Sequence, residues 1–563
     1  MELSGAQIII GILEREGIKI VAGIPGGANL PLYDALAGSS IRHVLARHEQ
    51  AAGFIAQGIA RRTGETAVCF ATSGPGVTNL LTAIADAKLD SIPIVAITGQ
   101  VARALIGTDA FQEIDTYGLS IPITKHSVMV QSAAELLIEL PRAFMIARSG
   151  RPGPVVVDVP KDVQMEKCVF DAWPETSCCP ALPESDPDTI MRIAKEIADA
   201  QRPVIYAGAG CAARPDSAAA LTTLARKEGI PVTTTLLALG AFPPDDPLYL
   251  GMLGMHGTRT ANRAIAECDL LIAVGARFDD RATGKIALFA PRARVVHIDI
   301  DPAEIGKLKQ PFIGLVSDAG QACQALTTVC GSRHREKWLK RIAELKAEET
   351  GPRDAEEGHP ARFLAEVSDL LPADAIIATD VGQHQMWAAQ AMKVRSPRSF
   401  LTSGGLGTMG FGLPAAIGAA LASPGQRVVC VSGDGSLLMN IQELATLAET
   451  GANVTVLVMD NGGLGMVRQQ QELFYKENFI ACDYPSKPDF ALIAAGFGIP
   501  SVDLSLVDNP KETLRTLLAA KGPSVVRVPV DAHANVYPMV PPGAANEEAI
   551  GDYAQAAAEE ESA

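Results

Sequence analysis

Short runs that are apolar throughout recur along the chain: Ala67–Ala71, Ile92–Thr98, Val155–Val159, Val204–Ala207, Leu270–Val274, Val295–Ile300, Ile376–Thr379, Val428–Val431 and Val454–Met459. Each is followed by a Gly or Ser turn and an Ala/Leu-rich stretch with helical spacing. A run without polar alternation suits a strand buried on both faces of a parallel sheet. Alternation of such strands with helices predicts stacked α/β domains.

Two stretches break the rhythm. Ala172–Pro187 is rich in proline, and Lys346–Pro360 combines charges with Gly and Pro. Read as linkers, they divide the chain into domains at 1–172, 188–345 and 360–545, each of ordinary size. The Ala/Glu-rich tail at 546–563 is expected to be a loose end or a weak terminal helix. No short-period repeat is visible.

Composition narrows the function classes. Hydrophobic residues make up 48% and charged residues 20%, a globular balance. A formal net charge of −16 argues against nucleic acid or an anionic membrane as a partner. No apolar stretch approaches the length of a membrane span. The opening MELSGAQIIIGILEREG reads as the first helix of the fold, not a signal or transit peptide. The 10 cysteines, with Cys178 and Cys179 adjacent, show no C-x-x-C or metal-ligand spacing. They read as free thiols in a reducing compartment, so a cytoplasmic protein is expected.

The sharpest chemical signal is Gly433-Asp434-Gly435-Ser436, after the run Val428–Val431 and before the helical stretch Leu438–Glu449. The next strand ends at Asp460-Asn461. Asp434 and Asn461 therefore sit at the carboxyl ends of strands joined by one crossover, where open α/β sheets bind ligands. A carboxylate, an amide oxygen and a backbone carbonyl are hard donors suited to Mg²⁺, which often also contacts phosphates. The glycines let the backbone approach phosphates, and a helix N-terminus favours their charge. Alone, G-D-G is only a tight strand-to-helix turn. With Asn461 one crossover later it matches the thiamine diphosphate (ThDP) motif: GDGSLLMN at Gly433–Asn440, then DNGGLG at Asp460–Gly465. A second segment, RHEQAAGFIAQGIAR at Arg47–Arg61, is by itself a charged helix start.

Further segments extend the match in order: GIPGG (Gly23–Gly27), SGPG (Ser73–Gly76), GTDAFQEIDT (Gly107–Thr116), SGRPGPV (Ser149–Val155), PKDV (Pro160–Val163), GMLGMHG (Gly251–Gly257), GARFDDR (Gly275–Arg281), HIDID (His297–Asp301), DVGQHQMW (Asp380–Trp387), SGGLGTMGFGLPAAIG (Ser403–Gly418) and YPMVPPGA (Tyr537–Ala544). Over nearly its whole length the chain resembles the catalytic large subunits of acetolactate synthase. The resemblance implies three doubly wound parallel-sheet domains. The first carries the pyrimidine-side contacts to ThDP, the middle one binds FAD, and the last binds diphosphate and Mg²⁺.

Residue roles follow from the same resemblance. Mg²⁺ takes Asp434, Asn461 and the main-chain oxygen of Gly463; Gly at both 462 and 463 departs from many relatives. Glu49 is the glutamate that activates the cofactor. Gly27 and Gln112 line the reaction centre, Phe111 and Lys161 the substrate channel. Pro75 and Asn79 form the pyrimidine side. Val381, Gly382, Gln383, His384, Gly433, Gly435, Ser436, Leu464, Gly465 and Met466 hold the cofactor's other end, and Met409 props it in a bent conformer. Against these stand bland alternatives, such as ordinary core packing for Met409.

For FAD the implied residues are Arg151, Gly208, Gly210, Leu253, Gly254, Met255, His256, Gly275, Ala276, Arg277, Asp279, Arg281, Asp299, Ile300 and Asp318. The Gly208-Ala209-Gly210 turn is alone a weak dinucleotide hint; RFDDR at Arg277–Arg281 discriminates better. Arg281 also suits the carboxylate of a second substrate. The implied reaction decarboxylates pyruvate and joins the two-carbon fragment to pyruvate or 2-ketobutyrate, with FAD structural. Gln470, as in the bacterial isozyme I type, is expected to favour pyruvate as acceptor. A homo-oligomer with sites between chains and a separate regulatory small subunit are implied as well. A flavin-dependent pyruvate oxidase would share ThDP, FAD and fold, but RFDDR and Gln112 argue against it. Glyoxylate carboligase lacks the activating glutamate, and a regulatory subunit would have a broken ThDP motif.

Overall fold

The computed structural model describes residues 1–176, 182 and 184–553. Cys178, Cys179 and the tail beyond Tyr553 lie outside them, as does part of the first proposed linker.

Three six-stranded sheets, parallel throughout, carry the architecture. Across the first sheet the strands run Arg42–Leu45, Ile20–Gly23, Ala67–Ala71, Ile94–Gln100, Val155–Pro160, His126–Met129. Numbered by sequence, that order is 2-1-3-4-6-5. The third sheet runs Phe400–Leu401, Ile376–Thr379, Val428–Gly433, Val454–Asp460, Ser524–Pro529, Ser501–Asp503, again 2-1-3-4-6-5. The middle sheet runs Tyr249–Met252, Val232–Thr234, Pro203–Ala207, Leu270–Val274, Arg294–Asp299, Ile313–Val316, or 3-2-1-4-5-6, the order of dinucleotide-binding folds.

Every apolar run picked out in the sequence is a strand, most of them extended or shifted by a residue or two. The strands without such a run are mostly edges, short and partly exposed: Arg42–Leu45, His126–Met129, Ile313–Val316 and Ser501–Asp503 each include exposed or half-buried positions. The helical stretch expected over Leu438–Glu449 is instead two helices, Asp434–Met439 and Glu443–Thr450. They part at Asn440, whose side-chain amide donates to the Gly410 carbonyl at 2.7 Å.

The first and third sheets share one core. Ala22, Val44, Ala52 and Ile55 pack with Ile376, Leu413, Ile417 and Val456. The helices Glu49–Thr63 and Gly412–Ala422 lie at its centre. After the strand Ser524–Pro529 the chain crosses to the middle sheet. Val540 N donates to the Met255 carbonyl at 2.8 Å, and Lys285 N to that of Ala544 at 3.0 Å. Asn546 Nδ2 donates to the Ala282 carbonyl at 2.8 Å. This strap closes over the loops at the carboxyl end of the middle sheet. Among the described residues no helix is long and apolar enough to cross a membrane.

Candidate active site

In an open parallel sheet the ligand crevice opens where neighbouring strands send their connections to opposite faces. In the third sheet that point lies between Ile376–Thr379 and Val428–Gly433, paired directly. Asp380, Val381, Gly382 and His384 leave one strand end; Gly433 and Asp434 leave the other.

Three helices begin there with no side-chain cap: Gln383–Ala391, Asp434–Met439 and Gly465–Phe474. Of their first N–H groups, Gly435 N donates to Asp434 Oδ1 at 2.8 Å and Gln385 N to the Gly382 carbonyl at 3.2 Å; the others leave helix starts at which an anion is favoured. Gly465 is required by closeness: a Cβ there would lie 2.0 Å from Gln383 Oε1 and 2.3 Å from Asn461 Nδ2. Ser436 Oγ donates to the Val381 carbonyl at 2.8 Å. Leu464 N is held by the Cys482 carbonyl at 2.6 Å and Tyr484 N by that of Gly462 at 2.9 Å. That brace stiffens the double-glycine loop. Met466 packs against the core of the third sheet.

Asp434 and Asn461 converge on one N–H. Gly463 N donates to Asp434 Oδ2 at 3.0 Å and to Asn461 Oδ1 at 3.1 Å. Asp434 is buried, forms no ion pair among the described residues, and is pushed up to about 7 by burial, with Asp460 adding to the rise. A cation beside it removes that penalty. Among the described residues no group of three or more His, Cys, Asp and Glu could hold a metal. Mg²⁺ asks for less: one or two carboxylates, neutral oxygens, water and phosphate. His384 gives a second test of fit. Burial drives its pKa down to about 3, and its Nε2 is a buried atom with no hydrogen-bond partner among the described residues. A diphosphate oxygen there would satisfy the orphan and draw a proton onto it. The residues fit Mg²⁺ and a diphosphate.

The first sheet builds a second half-site at its own switch point. The strand Arg42–Leu45 leads into His48, whose ring caps the helix Glu49–Thr63 by accepting from Gln50 N. Glu49 is buried at the helix start, and Asn79 Nδ2 donates to its Oε2 at 3.0 Å. Asn79 lies in the first turns of the helix Pro75–Asp90, with Pro75 at its first position. Gln112 has φ of 61° and its backbone crosses Gly74, where a Cβ would lie 2.9 Å from the Gln112 Cα. Gly27 faces open space. Arg103 Nε donates to Asp162 Oδ2 at 2.7 Å, tying the Phe111–Gln112 loop to the helix that starts at Lys161. Phe111 is 88% exposed.

At the middle switch point Gly208 and Gly275 touch: a Cβ on Gly208 would lie 2.0 Å from the Gly275 carbonyl oxygen. Gly210 N donates to that oxygen at 3.2 Å. A cavity of about 500 Å³ is lined by Lys88, Lys125, Arg151, Arg277 and Ile300 among others. Arg151 Nη1 pairs with Glu304 at 2.8 Å. Asp299 is pushed up to about 6 by burial. Asp279 and Asp318 cap helices, and Asp318 also pairs with Arg214 at 2.6 Å. Leu253 and Ala276 are buried, Gly254 has φ of 112°, and burial lowers His256 to about 4 while Pro538 binds its Nδ1. Arg281 is exposed beside Met255. A separate cavity of about 520 Å³ at Ser4, Asp34 and Gln164 contains none of these residues.

The structure thus gathers the third-sheet and first-sheet residues into two half-sites, and leaves Phe111, Arg281 and Gln470 facing solvent. Sequence reasoning missed Asp380 and Gln469. Asp380 accepts from Gly410 N at 2.8 Å and Gly412 N at 3.0 Å, bracketing the turn after Met409. Gln469 is buried and accepts from Gln383 Nε2 at 3.0 Å and Val536 N at 2.9 Å. Its neighbours in the sequence, Gln470 and Gln471, hid it.

Comparison with known proteins agrees with the three-sheet architecture. The thiamine pyrophosphate enzyme N-terminal TPP binding domain matches residues 3–119, the central domain 190–326, and the C-terminal TPP binding domain 380–528. The chain is 51% identical to the acetolactate synthase isozyme 1 large subunit of Escherichia coli K12, over 98% of both chains. It is 47% identical to the isozyme 2 large subunit of the same strain, over 97% of this chain and 99% of that one. With acetolactate synthase 1, chloroplastic, of Oryza sativa subsp. japonica it shares 45% identity, over 97% of this chain and 88% of that one.

Proposed function

The chain belongs to the acetolactate synthase large subunits of the thiamine pyrophosphate enzyme family and has acetolactate synthase activity; on that premise we propose that pyruvate is its donor and that pyruvate or 2-ketobutyrate is the acceptor. The convergence of Asp434 and Asn461 on Gly463 N, beneath three uncapped helix starts, carries this reading.

Domains divide near 1–172, 188–345 and 360–545. Mg²⁺ is held by Asp434, Asn461 and the Gly463 carbonyl, and the diphosphate by Gly382 to His384, Gly433 to Ser436 and Leu464 to Met466. ThDP, when bound, supplies the electron sink for loss of CO₂. Glu49, fixed by Asn79, holds a proton against the pyrimidine ring and so sets the basicity of the ring's amino group. With ThDP bound, Met409 would prop it so that its reacting groups lie close, a proximity effect. Gly27 and Gln112 line the reacting carbon; Phe111 and Lys161 line the approach. Arg281 offers a planar guanidinium to the acceptor's carboxylate.

The side chains of Glu49 and Asp434 bond to Asn79 and Gly463, not to each other. We place the complete site between two copies of the chain. Exposed apolar residues flanking both half-sites support this: Phe111, Ile121 and Met439 are 88%, 52% and 52% exposed. FAD occupies the middle domain at Gly208, Gly210, Gly275 and Arg277 without redox turnover. A regulatory small subunit binds the assembled enzyme, which is cytoplasmic.

The test is incubation of pure protein with pyruvate, ThDP, Mg²⁺ and FAD, followed by product identification. Acetolactate supports the reading, and unchanged output with 5-deaza-FAD supports a structural flavin. Acetate or acetyl phosphate, formed only with an electron acceptor, would make the chain a pyruvate oxidase instead.

A further inference from the structure

The loop from Ser403 to Met409 is held from two sides. Its own sheet contributes Asp380, as above. The other side belongs to the first sheet. Gly404 N and Gly405 N donate to the two oxygens of Asp90, at 3.0 and 2.7 Å. Thr408 Oγ1 donates to Asp86 Oδ1 at 3.1 Å, and Ser403 Oγ donates to the same oxygen. Ser403 Oγ in turn accepts from Thr408 N at 2.8 Å, closing the loop on itself.

Asp86 and Asp90 are one helical turn apart on Pro75–Asp90, and both are buried. Arg61 lies between them, its Nη2 at 3.2 Å from Asp86 and 2.7 Å from Asp90. Two carboxyl groups share one guanidinium in a dry site, so their remaining oxygens need other donors. Burial and the neighbouring Asp90 push Asp86 above the usual carboxylate range. Hydrogen bonds from the Met409 loop satisfy those buried oxygens. The loop backbone is thereby selected in one conformation, although Gly404, Gly405 and Leu406 are themselves exposed.

We infer that Asp86 and Asp90, bridged by Arg61, are positioning residues that set the Met409 loop for the bound cofactor; the inference rests on the reading of Met409 as the residue that keeps ThDP bent. The same helix carries Asn79, which fixes Glu49. One rigid element therefore orients both a proton-holding group and a cofactor prop.

The test uses FAD-loaded full-length protein and four variants: Asp90→Asn, Thr408→Val, Thr408→Ser and Met409→Ala. Calorimetric titration with Mg²⁺–ThDP should show about tenfold or greater loss of affinity in Asp90→Asn, where a charged buried acceptor is removed, and a smaller loss in Thr408→Val. In both, kcat falls while KM for pyruvate and flavin content stay at wild-type values, and Thr408→Ser restores both affinity and kcat. A general loss of structure would reduce flavin content too. If Asp90→Asn does not fold, Thr408→Val decides. Wild-type affinity and kcat in Thr408→Val, together with weakened binding in Met409→Ala, overturn the inference alone. An unaffected Met409→Ala overturns the reading of Met409, and the inference with it.

Discussion

Gly58 and Gly418 are reciprocal contacts: a methyl on Gly58 would lie 2.1 Å from the Ala415 carbonyl oxygen, and one on Gly418 would lie 2.1 Å from that of Ile55. The two helices cross backbone to backbone, which only residues without a Cβ allow. The helix that starts at Glu49 is thereby docked on the third sheet. Gly58→Ala gains up to about 1 kcal/mol of helix propensity and loses more by overpacking. With overpacking at about 1–3 kcal/mol, a net destabilisation of up to about 2 kcal/mol is expected in denaturant titration. Gly418→Ala should cost as much, and the double variant less than the sum, because one displacement of the helix pair relieves both clashes.

Glu49→Gln leaves the hydrogen bond from Asn79 an acceptor but removes the carboxyl proposed to hold a proton against the pyrimidine ring. The fold and ThDP binding should persist while carboligation drops by roughly 10²–10⁴-fold. Near-normal turnover at saturating ThDP would sink the assignment.

What the sequence revealed divides along physical lines. Asp434 and Asn461 follow unbroken apolar runs, so their places at strand ends were legible before any coordinates. Edge strands were not, because half-exposed residues interrupt the run that marks a buried one. The strand Ser524–Pro529 was hidden too: its Arg527 looks out of place until it meets Asp460 at 2.7 Å. Asp86 and Ser403 are separated by 317 residues, and no local pattern announces such a pair. The shared strand order of the first and third sheets left no repeat in the sequence. Parallel sheets need only buried apolar runs, not particular residues, to keep their topology.

Gln470 is exposed on the helix Gly465–Phe474, one residue beyond the buried Gln469. There is room for a larger side chain. Gln470→Trp should raise the ratio of 2-ketobutyrate to pyruvate used as acceptor by about tenfold or more, if it packs on the extra methyl. A competition assay counting both acetohydroxy acids measures it, and an unchanged ratio in an active variant removes Gln470 from the acceptor pocket.

Asp158 is buried in the first sheet and raised to about 7, chiefly by burial, despite hydrogen bonds from Thr98 and Gln100. A carboxyl raised on folding stabilises the native state fully below its unfolded pKa, and that contribution fades as pH climbs through the folded value. Its share of stability should therefore decline between about pH 4 and pH 7. Asp158→Asn, which accepts from Gln100 and donates to Thr98, should flatten that decline. Denaturation midpoints at pH 5 and pH 8 give the comparison; an equal pH dependence in both proteins would show that Asp158 does not titrate as described.

The strap over the middle sheet also bears on the order in which a ribosome can deliver the fold. His256 and Pro538, joined across it, are 282 residues apart. At the usual pace of synthesis, roughly 5–20 residues per second, the loops around His256 wait about 14 to 56 seconds for their cover. Once the strand Ile313–Val316 has been added, the nascent middle domain has its sheet but not its lid. A ligand of those loops would meet them open during translation, and closed only after Pro538 has left the exit tunnel.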